Sequence, residues 1–229
     1  MKRKKALVLL SGGLDSTVVL AYAVSRDRDC FALSFDYGQR HSIELSHASL
    51  IAERYKISHK IIKIDPQAFG NSSLVSNLSV LKGRSSHEIS GDTSSNTYVP
   101  ARNTLFLAYA AGQAELFRME EIYIGANASD RAGYPDCREE FFDAFRLLLS
   151  RATRIAVEGR PPDLKIPLLH MDKAKIVAYG KSLSAPLDLS FSCYDPSSSG
   201  IHCGLCDACV LRKEGFRKSS IPDAVIYER

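Results

Sequence analysis

Ala6-Leu7-Val8-Leu9-Leu10 runs directly into Ser11-Gly12-Gly13-Leu14-Asp15-Ser16, so an apolar stretch breaks into small residues just before an apolar helical pattern begins. This order predicts a strand, a phosphate-binding turn and a helix. The two glycines permit backbone angles that other residues avoid, and they let main-chain N–H groups approach an anion. The serine hydroxyls and the positive end of the helix dipole favour the same ligand. We therefore predict that the turn cradles nucleotide phosphates, the alternative being a glycine turn with no ligand.

Length and composition fit a globular protein. The chain has 229 residues, of which 45% are hydrophobic and 24% charged, and this suits one large domain or two small ones. Four of the first five residues are basic, but the apolar run behind them is too short for a signal-peptide core or a membrane span. We therefore expect a cytoplasmic protein with no membrane partner. The net charge of +4 is modest, and no nucleic-acid partner is expected.

Alternating strand and helix patterns predict a parallel-sheet, Rossmann-like α/β fold. Before residue 66 we expect, after the first strand, a helix over 16–24, a strand over 30–35, a helix over 43–55 and a strand over 60–64. After residue 100 we expect helices over 102–117, 138–157 and 173–182, and strands over 121–125 and 164–168. The stretch 66–98 is rich in Ser, Asn and Gly, which predicts an irregular lid or a disordered segment. Residues 1–189 are expected to form the nucleotide-binding domain, and 190–229 a separate C-terminal element.

Four of the six cysteines are spaced for a metal site near the C-terminus, namely Cys193, Cys203, Cys206 and Cys209. The last three are separated by two residues each, and a loop over 195–200 returns the first to them. This spacing predicts a closed structural zinc site. An iron–sulfur cluster and a redox or disulfide role remain as alternatives. Cys30 lies in an apolar strand, where a packed and inert thiol is expected. Cys137 lies in a polar turn, where a functional role is less easily dismissed.

Further segments carry a family resemblance when they are taken in order along almost the whole chain. They are Phe35-Asp36-Tyr37-Gly38-Gln39-Arg40-His41, Tyr98-Val99-Pro100-Ala101-Arg102-Asn103-Thr104, Gly133-Tyr134-Pro135-Asp136-Cys137-Arg138, Asp172-Lys173-Ala174, Ser192-Cys193-Tyr194 and Cys203-Gly204-Leu205-Cys206-Asp207-Ala208-Cys209-Val210-Leu211-Arg212. With Ser-Gly-Gly-Leu-Asp-Ser they resemble the 7-cyano-7-deazaguanine synthase family of the ATP-pyrophosphatase (PP-loop) superfamily. Leu14, Ala101 and Phe191 stand where many members have Met, Gly and Trp, and none of these departures removes a polar group.

The resemblance implies an adenine nucleotide alpha hydrolase-like fold and a ligase that forms carbon–nitrogen bonds in queuosine biosynthesis. ATP would activate 7-carboxy-7-deazaguanine, ammonia would give an amide, and a second activation would give the nitrile. It also implies magnesium with the ATP, one structural zinc per chain and a homodimer. Whether ATP is cleaved to AMP or to ADP stays open.

The phosphates of ATP are assigned to the glycine turn, with Leu10, Ser11, Gly12, Gly13, Leu14, Asp15 and Ser16. Asp15 would hold the magnesium ion, as the superfamily resemblance implies. Phe35 and Asp36 end the second strand at the carboxyl edge of the sheet, where adenine can bind. Arg102 and Lys173 would supply cations for the charge that develops on the phosphates. The alternative for both is a surface salt bridge.

The deazapurine is assigned to Tyr134, Asp136 and Arg138, which crowd one short turn, together with Gln39 and Arg40. An aromatic ring can stack on the purine-like ring, a carboxylate can accept its N–H groups, and an arginine can pair with its carboxylate. The neighbouring histidine, residue 41, is expected to line the site, to cap the next helix or to face solvent.

Two other functions compete with this interpretation. A sulfur-inserting tRNA-modifying enzyme of the same superfamily would also use ATP, but it needs a reactive cysteine or an iron–sulfur cluster. A non-catalytic, zinc-stabilised nucleotide or RNA-binding module is the third candidate. The many polar residues that follow strand ends argue against this module, because a sensor has less need of so many converging charges.

Overall fold

The computed structural model describes residues 2–39, 43–65, 72–76, 78–92, 96–130 and 132–228. Within them, five strands form one sheet: β1 (Lys5–Leu9), β2 (Asp29–Asp36), β3 (Ser58–Lys63), β4 (Glu121–Tyr123) and β5 (Asp163–Lys165). Their order is β3-β2-β1-β4-β5, and every neighbouring pair is parallel. The predicted parallel α/β fold is therefore confirmed.

Eight helices accompany the sheet in the described residues: α1 (Leu14–Ser25), α2 (Ile43–Arg54), α3 (Ser86–Gly91), α4 (Arg102–Phe117), α5 (Glu139–Ala152), α6 (Arg154–Val157), α7 (Lys173–Ser182) and α8 (Asp207–Lys218). Both faces of the sheet are covered. Leu7 and Leu9 of β1 belong to one apolar cluster, and Ala6 and Val8 belong to the cluster on the other side. Burial on both faces is typical of a parallel sheet and explains why β1 is a continuous apolar run.

The order of the chain reverses beside β1. From β1 the chain passes through β2 to the edge strand β3, and it then returns to the other side of β1 as β4. Ligands of open α/β sheets bind at such a switch point, in the crevice outside the carboxyl ends of the strands. The glycine turn follows β1 directly, so the fold places it in this crevice.

Two of the predicted elements are wrong in extent. The predicted helix over 138–157 ends at Ala152, because Thr153 is extended (φ −128°, ψ 157°) and its hydroxyl accepts a hydrogen bond from the N–H of Ala156 (3.4 Å). This cap starts the short helix α6. The predicted strand over 164–168 is Asp163–Lys165 instead, and Pro167, which has no N–H to donate, follows close behind it. Other predicted elements differ from the observed ones by two residues or fewer at each end.

The stretch 66–98 is not wholly irregular in the part that the structure describes. Residues 86–91 form α3, which begins with a capping box in which the Ser85 hydroxyl accepts the Glu88 N–H and the Glu88 carboxylate accepts the Ser85 N–H. This Ser-x-x-Glu pattern is a known sequence signal for a helix start, and the prediction of an irregular segment missed it.

The C-terminal residues pack against the sheet domain through a buried arginine. Arg212 of α8 is 1% exposed and forms a bidentate ion pair with Asp223 (2.9 Å for both bonds). Its guanidinium also donates to the carbonyl oxygens of Leu187 (3.1 Å) and Ser190 (3.2 Å). Phe216 of the same helix belongs to the apolar cluster of the sheet. The division at residue 189 stays a prediction.

Candidate active site and metal centre

A cavity of about 270 Å³ lies at the carboxyl ends of β1 and β2. The structure brings many of the predicted site residues into its wall: Leu10, Ser11, Gly13, Leu14, Asp15, Ser16, Phe35, Gln39, Arg102, Tyr134 and Lys173. Four others lie outside the wall, namely Gly12, Asp36, Asp136 and Arg138. Arg40 and His41 fall outside the described residues.

The glycine turn presents donors to the cavity. Ser11 and Ser16 hold the turn, because their hydroxyls lie 3.1 Å apart and the Ser16 hydroxyl accepts the Ser11 N–H (3.2 Å). Gly13 is the N-cap of α1 and makes no side-chain cap. The first N–H groups of a helix lack partners within the helix, so an uncapped end that faces a cavity is suited to an anion.

Position 12 requires glycine for two reasons, the backbone angle and the lack of space for a side chain. Its φ is +90°, and a Cβ atom at this position would stand 2.2 Å from the carbonyl oxygen of Glu44 and 2.9 Å from the Ala48 nitrogen. The turn is therefore pressed against the backbone of α2. Gly12 does not line the cavity itself. Its close packing against α2 allows its neighbours Ser11 and Gly13 to lie in the cavity wall.

Gly12→Ala is expected to lower the free energy of unfolding by about 2–4 kcal/mol, because a strained backbone angle adds to a backbone clash. Urea denaturation measures this change. Gly112→Ala in α4 is the matched control, since its Cβ meets no atom within 4 Å and alanine favours a helix. Equal stability of the two variants would contradict the close approach of the turn to α2.

Beside the turn, Asp15 belongs to a charged cluster. Its Oδ2 accepts hydrogen bonds from Lys173 Nζ (2.6 Å) and Asn127 Nδ2 (3.1 Å), and Asn127 Nδ2 also donates to Asp130 Oδ2 (2.6 Å). Burial raises the pKa of Asp130 to about 6, an effect that the charge of Lys173 opposes. Burial opposes the charge on Lys173, but Asp15 and Asp130 outweigh it and raise the pKa of this amine.

One oxygen of the Asp15 carboxylate is left without a hydrogen-bond donor among the described residues. This oxygen, Oδ1, is buried. A buried carboxylate oxygen without a partner is costly, so the position fits a cation such as magnesium, which prefers oxygen ligands. Sequence reasoning missed Asn127 and Asp130. They follow β4 in the polar stretch Asn127-Ala128-Ser129-Asp130, which is the signal that could have found them.

Arg102 also lines the cavity, near tyrosine hydroxyls. Its Nη1 lies 3.5 Å from the Tyr37 hydroxyl, and no carboxylate among the described residues forms an ion pair with it. The residue before it, Ala101, caps α4 in the left-handed conformation (φ 54°). Glycine adopts this conformation without strain, which explains the preference for glycine at this position that the resemblance implies.

Several residues predicted to bind the deazapurine form internal hydrogen bonds. The Asp136 carboxylate accepts the Asn103 N–H (2.9 Å) and so caps α4. Gln39 closes the turn after β2, where its Oε1 accepts the Tyr37 N–H (2.9 Å) and its Nε2 donates to the Phe35 carbonyl (3.2 Å). These bonds shape the wall of the cavity, and contact of the same residues with a ligand stays a prediction.

The remaining two predicted residues of the polar turn differ in exposure. The Tyr134 hydroxyl lies 2.5 Å from Thr97 Oγ1 and faces the cavity. Arg138 is exposed where α5 begins. Asp36, predicted to lie near adenine, accepts a 3.4 Å hydrogen bond from Gly38 N–H just outside the wall.

The four C-terminal cysteines form the predicted cluster. Their sulfur atoms lie within 4.8 Å of one another and are buried. The sulfurs accept backbone N–H groups: Cys193 Sγ from Cys203 (3.2 Å), Cys206 Sγ from Tyr194 (3.4 Å) and Cys203 Sγ from Cys206 (3.3 Å). Such donors favour thiolates, the form that binds metals. Four converging sulfurs therefore could hold a metal ion.

The cluster is joined to its surroundings on two sides. Cys193 and Tyr194 contribute to the wall of the cavity. On the other side, Arg84 pairs with the carboxylate of Asp207, the residue after Cys206, and with Asp92 (2.6 Å). A metal bound here would thus stabilise both the cavity wall and the segment that carries α3.

None of the helices in the described part of the chain has the length and apolar character needed to cross a membrane.

Comparison with known proteins agrees with the sequence resemblance. Residues 5–220 match the family model described as "Queuosine biosynthesis protein QueC". The chain is 44% identical to the 7-cyano-7-deazaguanine synthase of Desulfatibacillum aliphaticivorans, with 99% of this chain and 98% of the relative covered. It is 48% identical to the synthase of the same name from Syntrophotalea carbinolica, with 99% and 97% covered.

Among solved structures, the U34-tRNA thiolase NcsA from Methanococcus maripaludis, which carries a [4Fe-4S] cluster, has a TM-score of 0.50 and 14% identity over 97% of this chain and 75% of that one. At this identity the likeness shows the fold alone. The family match and the curated relatives cover nearly the whole chain, and the chain therefore belongs to the QueC family of queuosine biosynthesis.

Proposed function

We propose that this chain is a 7-cyano-7-deazaguanine synthase, which converts 7-carboxy-7-deazaguanine and ammonia to the nitrile at the expense of ATP. The observation that carries the proposal is the cavity at the switch point of the sheet. It joins a phosphate-binding turn, a carboxylate pair with a spare buried oxygen, and the cations Lys173 and Arg102 in one wall. The names of the curated relatives supply the product, and the family resemblance implies the acid and ammonia as its precursors.

The reaction needs two activations of the same carbon. A carboxylate is a poor electrophile, so transfer of an adenylyl or phosphoryl group to one oxygen creates a leaving group. Ammonia then attacks the carbon, the activated oxygen leaves with its phosphorus group, and the nitrogen loses a proton to give the amide. A second transfer to the amide oxygen, followed by loss of this oxygen and of two N–H protons, gives the nitrile. Protein groups position the reactants and stabilise charge.

The residues divide this work between them. The N–H groups at the start of α1 and the hydroxyls of Ser11 and Ser16 would bind the phosphates. Asp15 and Asp130 would hold magnesium, which neutralises phosphate charge when it is bound. Lys173 would stabilise the charge that develops on the phosphates. Arg102 would bind the carboxylate where it meets the transferred group.

A structural zinc ion is proposed at the four cysteines, because closed sites of four thiolates are typical of structural zinc. The remaining two cysteines do not suit the sulfur-transfer alternative. Burial raises the pKa of Cys30 to about 12. Burial also raises the pKa of the Cys137 thiol, which accepts a hydrogen bond from Asn103 Nδ2 (3.3 Å). Both thiols are therefore poor nucleophiles at neutral pH.

The function is tested by incubating the protein with 7-carboxy-7-deazaguanine, an ammonium salt and magnesium ATP, with mass detection of products. The nitrile is expected, with the amide as an intermediate, and ATP turnover should depend on the deazapurine acid. Turnover without the acid, or none with it, would contradict the proposal. Iron and labile sulfide in the purified protein would favour sulfur transfer instead.

Arg102→Ala is expected to weaken binding of the deazapurine acid by about 1.5–3 kcal/mol, the scale of a lost charge-assisted hydrogen bond. Calorimetric titration of the acid and of ATP measures the change for each ligand. Arg138→Ala is the comparison, because the sequence assigns Arg138 to the same carboxylate but the structure places it outside the cavity wall. A loss with Arg138→Ala and none with Arg102→Ala would restore the sequence-based assignment.

A further inference from the structure

Glu44 is a carboxylate in the cavity wall that the chemistry above leaves without a role. It lies in the first turn of α2 and is partly buried. The other two carboxylates of the wall, Asp15 and Asp130, are engaged by Asn127. Among the residues that the structure describes, no hydrogen bond or ion pair involves the Glu44 carboxylate, and only burial and the charge of Arg102 act on it. A carboxylate kept inside a binding cavity in this way is available to a ligand.

The surroundings of Glu44 favour a ligand that donates hydrogen bonds. Burial raises the pKa of Glu44 to about 7, and the positive charge of Arg102 opposes this effect. Near neutral pH the carboxyl group is therefore close to its midpoint, and a ligand with N–H donors stabilises the ionised form. Glu44 and Arg102 both line the cavity, so a hydrogen-bond acceptor and a cation face the same space.

An acceptor and a cation in one cavity correspond to the two kinds of group that the deazapurine acid presents, N–H donors and a carboxylate. We propose that the Glu44 carboxylate binds the two adjacent N–H donors of the 2-aminopyrimidinone edge, while Arg102 binds the carboxylate at the other end of the molecule. The inference rests on the proposed function and assigns recognition of the deazapurine ring to Glu44. Two carboxylate oxygens can accept two parallel N–H bonds, which adds geometric specificity to the affinity.

The same geometry discriminates against the other ring in the reaction. Adenine presents one amino donor next to a ring nitrogen that is an acceptor, and an ionised carboxylate repels this lone pair. Ammonium can donate to a carboxylate, but it lacks two parallel N–H donors in a fixed geometry. Glu44 would thus select a guanine-type edge and keep the adenine of ATP out of this part of the cavity.

The test uses Glu44→Gln in the full-length protein. The amide keeps the size of the side chain, but it replaces one acceptor with an NH₂ group that faces an N–H donor. Affinity for the deazapurine acid is expected to fall about 10- to 100-fold, while ATP affinity, metal content and melting temperature stay unchanged. Glu53→Gln is the matched control, because it makes the same change on an exposed position of α2.

An analogue of the acid without the 2-amino group separates recognition from structural damage. The wild-type protein is expected to prefer the acid over this analogue about 10- to 100-fold, and Glu44→Gln to reduce the preference to a few-fold. No preference in the wild type, or an unchanged one in the variant, would overturn the inference. A loss confined to ATP or to ammonium would also overturn it, by assigning Glu44 to that ligand. If the wild-type protein does not bind the acid, the proposed function fails instead.

Discussion

Asp15→Asn is expected to lower turnover of the deazapurine acid by about 10³-fold while the protein stays folded. One oxygen of this carboxylate is bonded to Lys173 at 2.6 Å, and the other is buried without a partner in the described structure. The amide has a similar shape but cannot supply the negative oxygen that a magnesium ion needs. Since the charge of Asp130 still acts on Lys173 when Asp15 becomes neutral, the melting temperature should change little.

Product formation, melting temperature and Mn²⁺ binding in the presence of ATP together measure the effect. Asp172→Asn is the control, because Asp172 lies beside Lys173 and caps α7 by accepting the Lys175 N–H (2.8 Å), a role that asparagine also fills. It should keep both activity and stability. Turnover within ten-fold of the wild type in Asp15→Asn would remove the magnesium assignment, and loss of folding would assign Asp15 a structural role.

Features that depend on nearby residues were predictable from the sequence. The glycine turn lies within one short stretch, and three of the four clustered cysteines lie within seven consecutive residues, 203–209. Turn and helix-start chemistry act over a few residues, so a local pattern is enough to place them. The same reasoning could have found α3 through Ser85 and Glu88, but the polar composition of 66–98 concealed the signal.

Features that depend on strand order were not predictable. Asn127 lies 112 residues from Asp15 in the chain, and Lys173 lies 158 residues away, yet both bond to the same oxygen. They meet because β4 lies beside β1, which hydrophobic periodicity does not reveal. Lys173 was found through the resemblance. Asn127 lies in the polar stretch 127–130, but this stretch does not reveal that its first residue bonds to Asp15.

Asp136 shows a related difficulty. A polar turn rich in charged residues suggested contact with substrate, but the carboxylate caps α4, whose first turn lies 33 residues earlier in the chain. Sequence reasoning identified a residue next to the cavity and could not tell a group that contacts a ligand from one that holds the wall. Glu44 is the converse case, because a glutamate at the start of a helix resembles an ordinary dipole-stabilising residue.

Cys206→Ser is expected to abolish metal binding and to lower the melting temperature by about 10 °C or more. Wild-type protein should contain about one zinc per chain, since four buried thiolates form one closed site. Loss of the metal should affect more of the chain than the cysteines themselves. Cys206 is the N-cap of α8, and the next residue, Asp207, pairs with Arg84 from the α3 segment. Losing the metal should therefore increase hydrogen exchange in α8 and in residues 82–92.

Metal analysis, thermal unfolding and hydrogen exchange separate this result from simple loss of a buried thiol. Cys30→Ala is the control, because Cys30 is buried in β2 outside the cluster, so it should keep the metal and lose only the packing of one sulfur. Since Cys193 also lines the cavity, Cys206→Ser should weaken binding of the deazapurine acid as the wall loosens. Wild-type protein that contains no metal, together with an unchanged melting temperature in Cys206→Ser, would contradict the structural metal site.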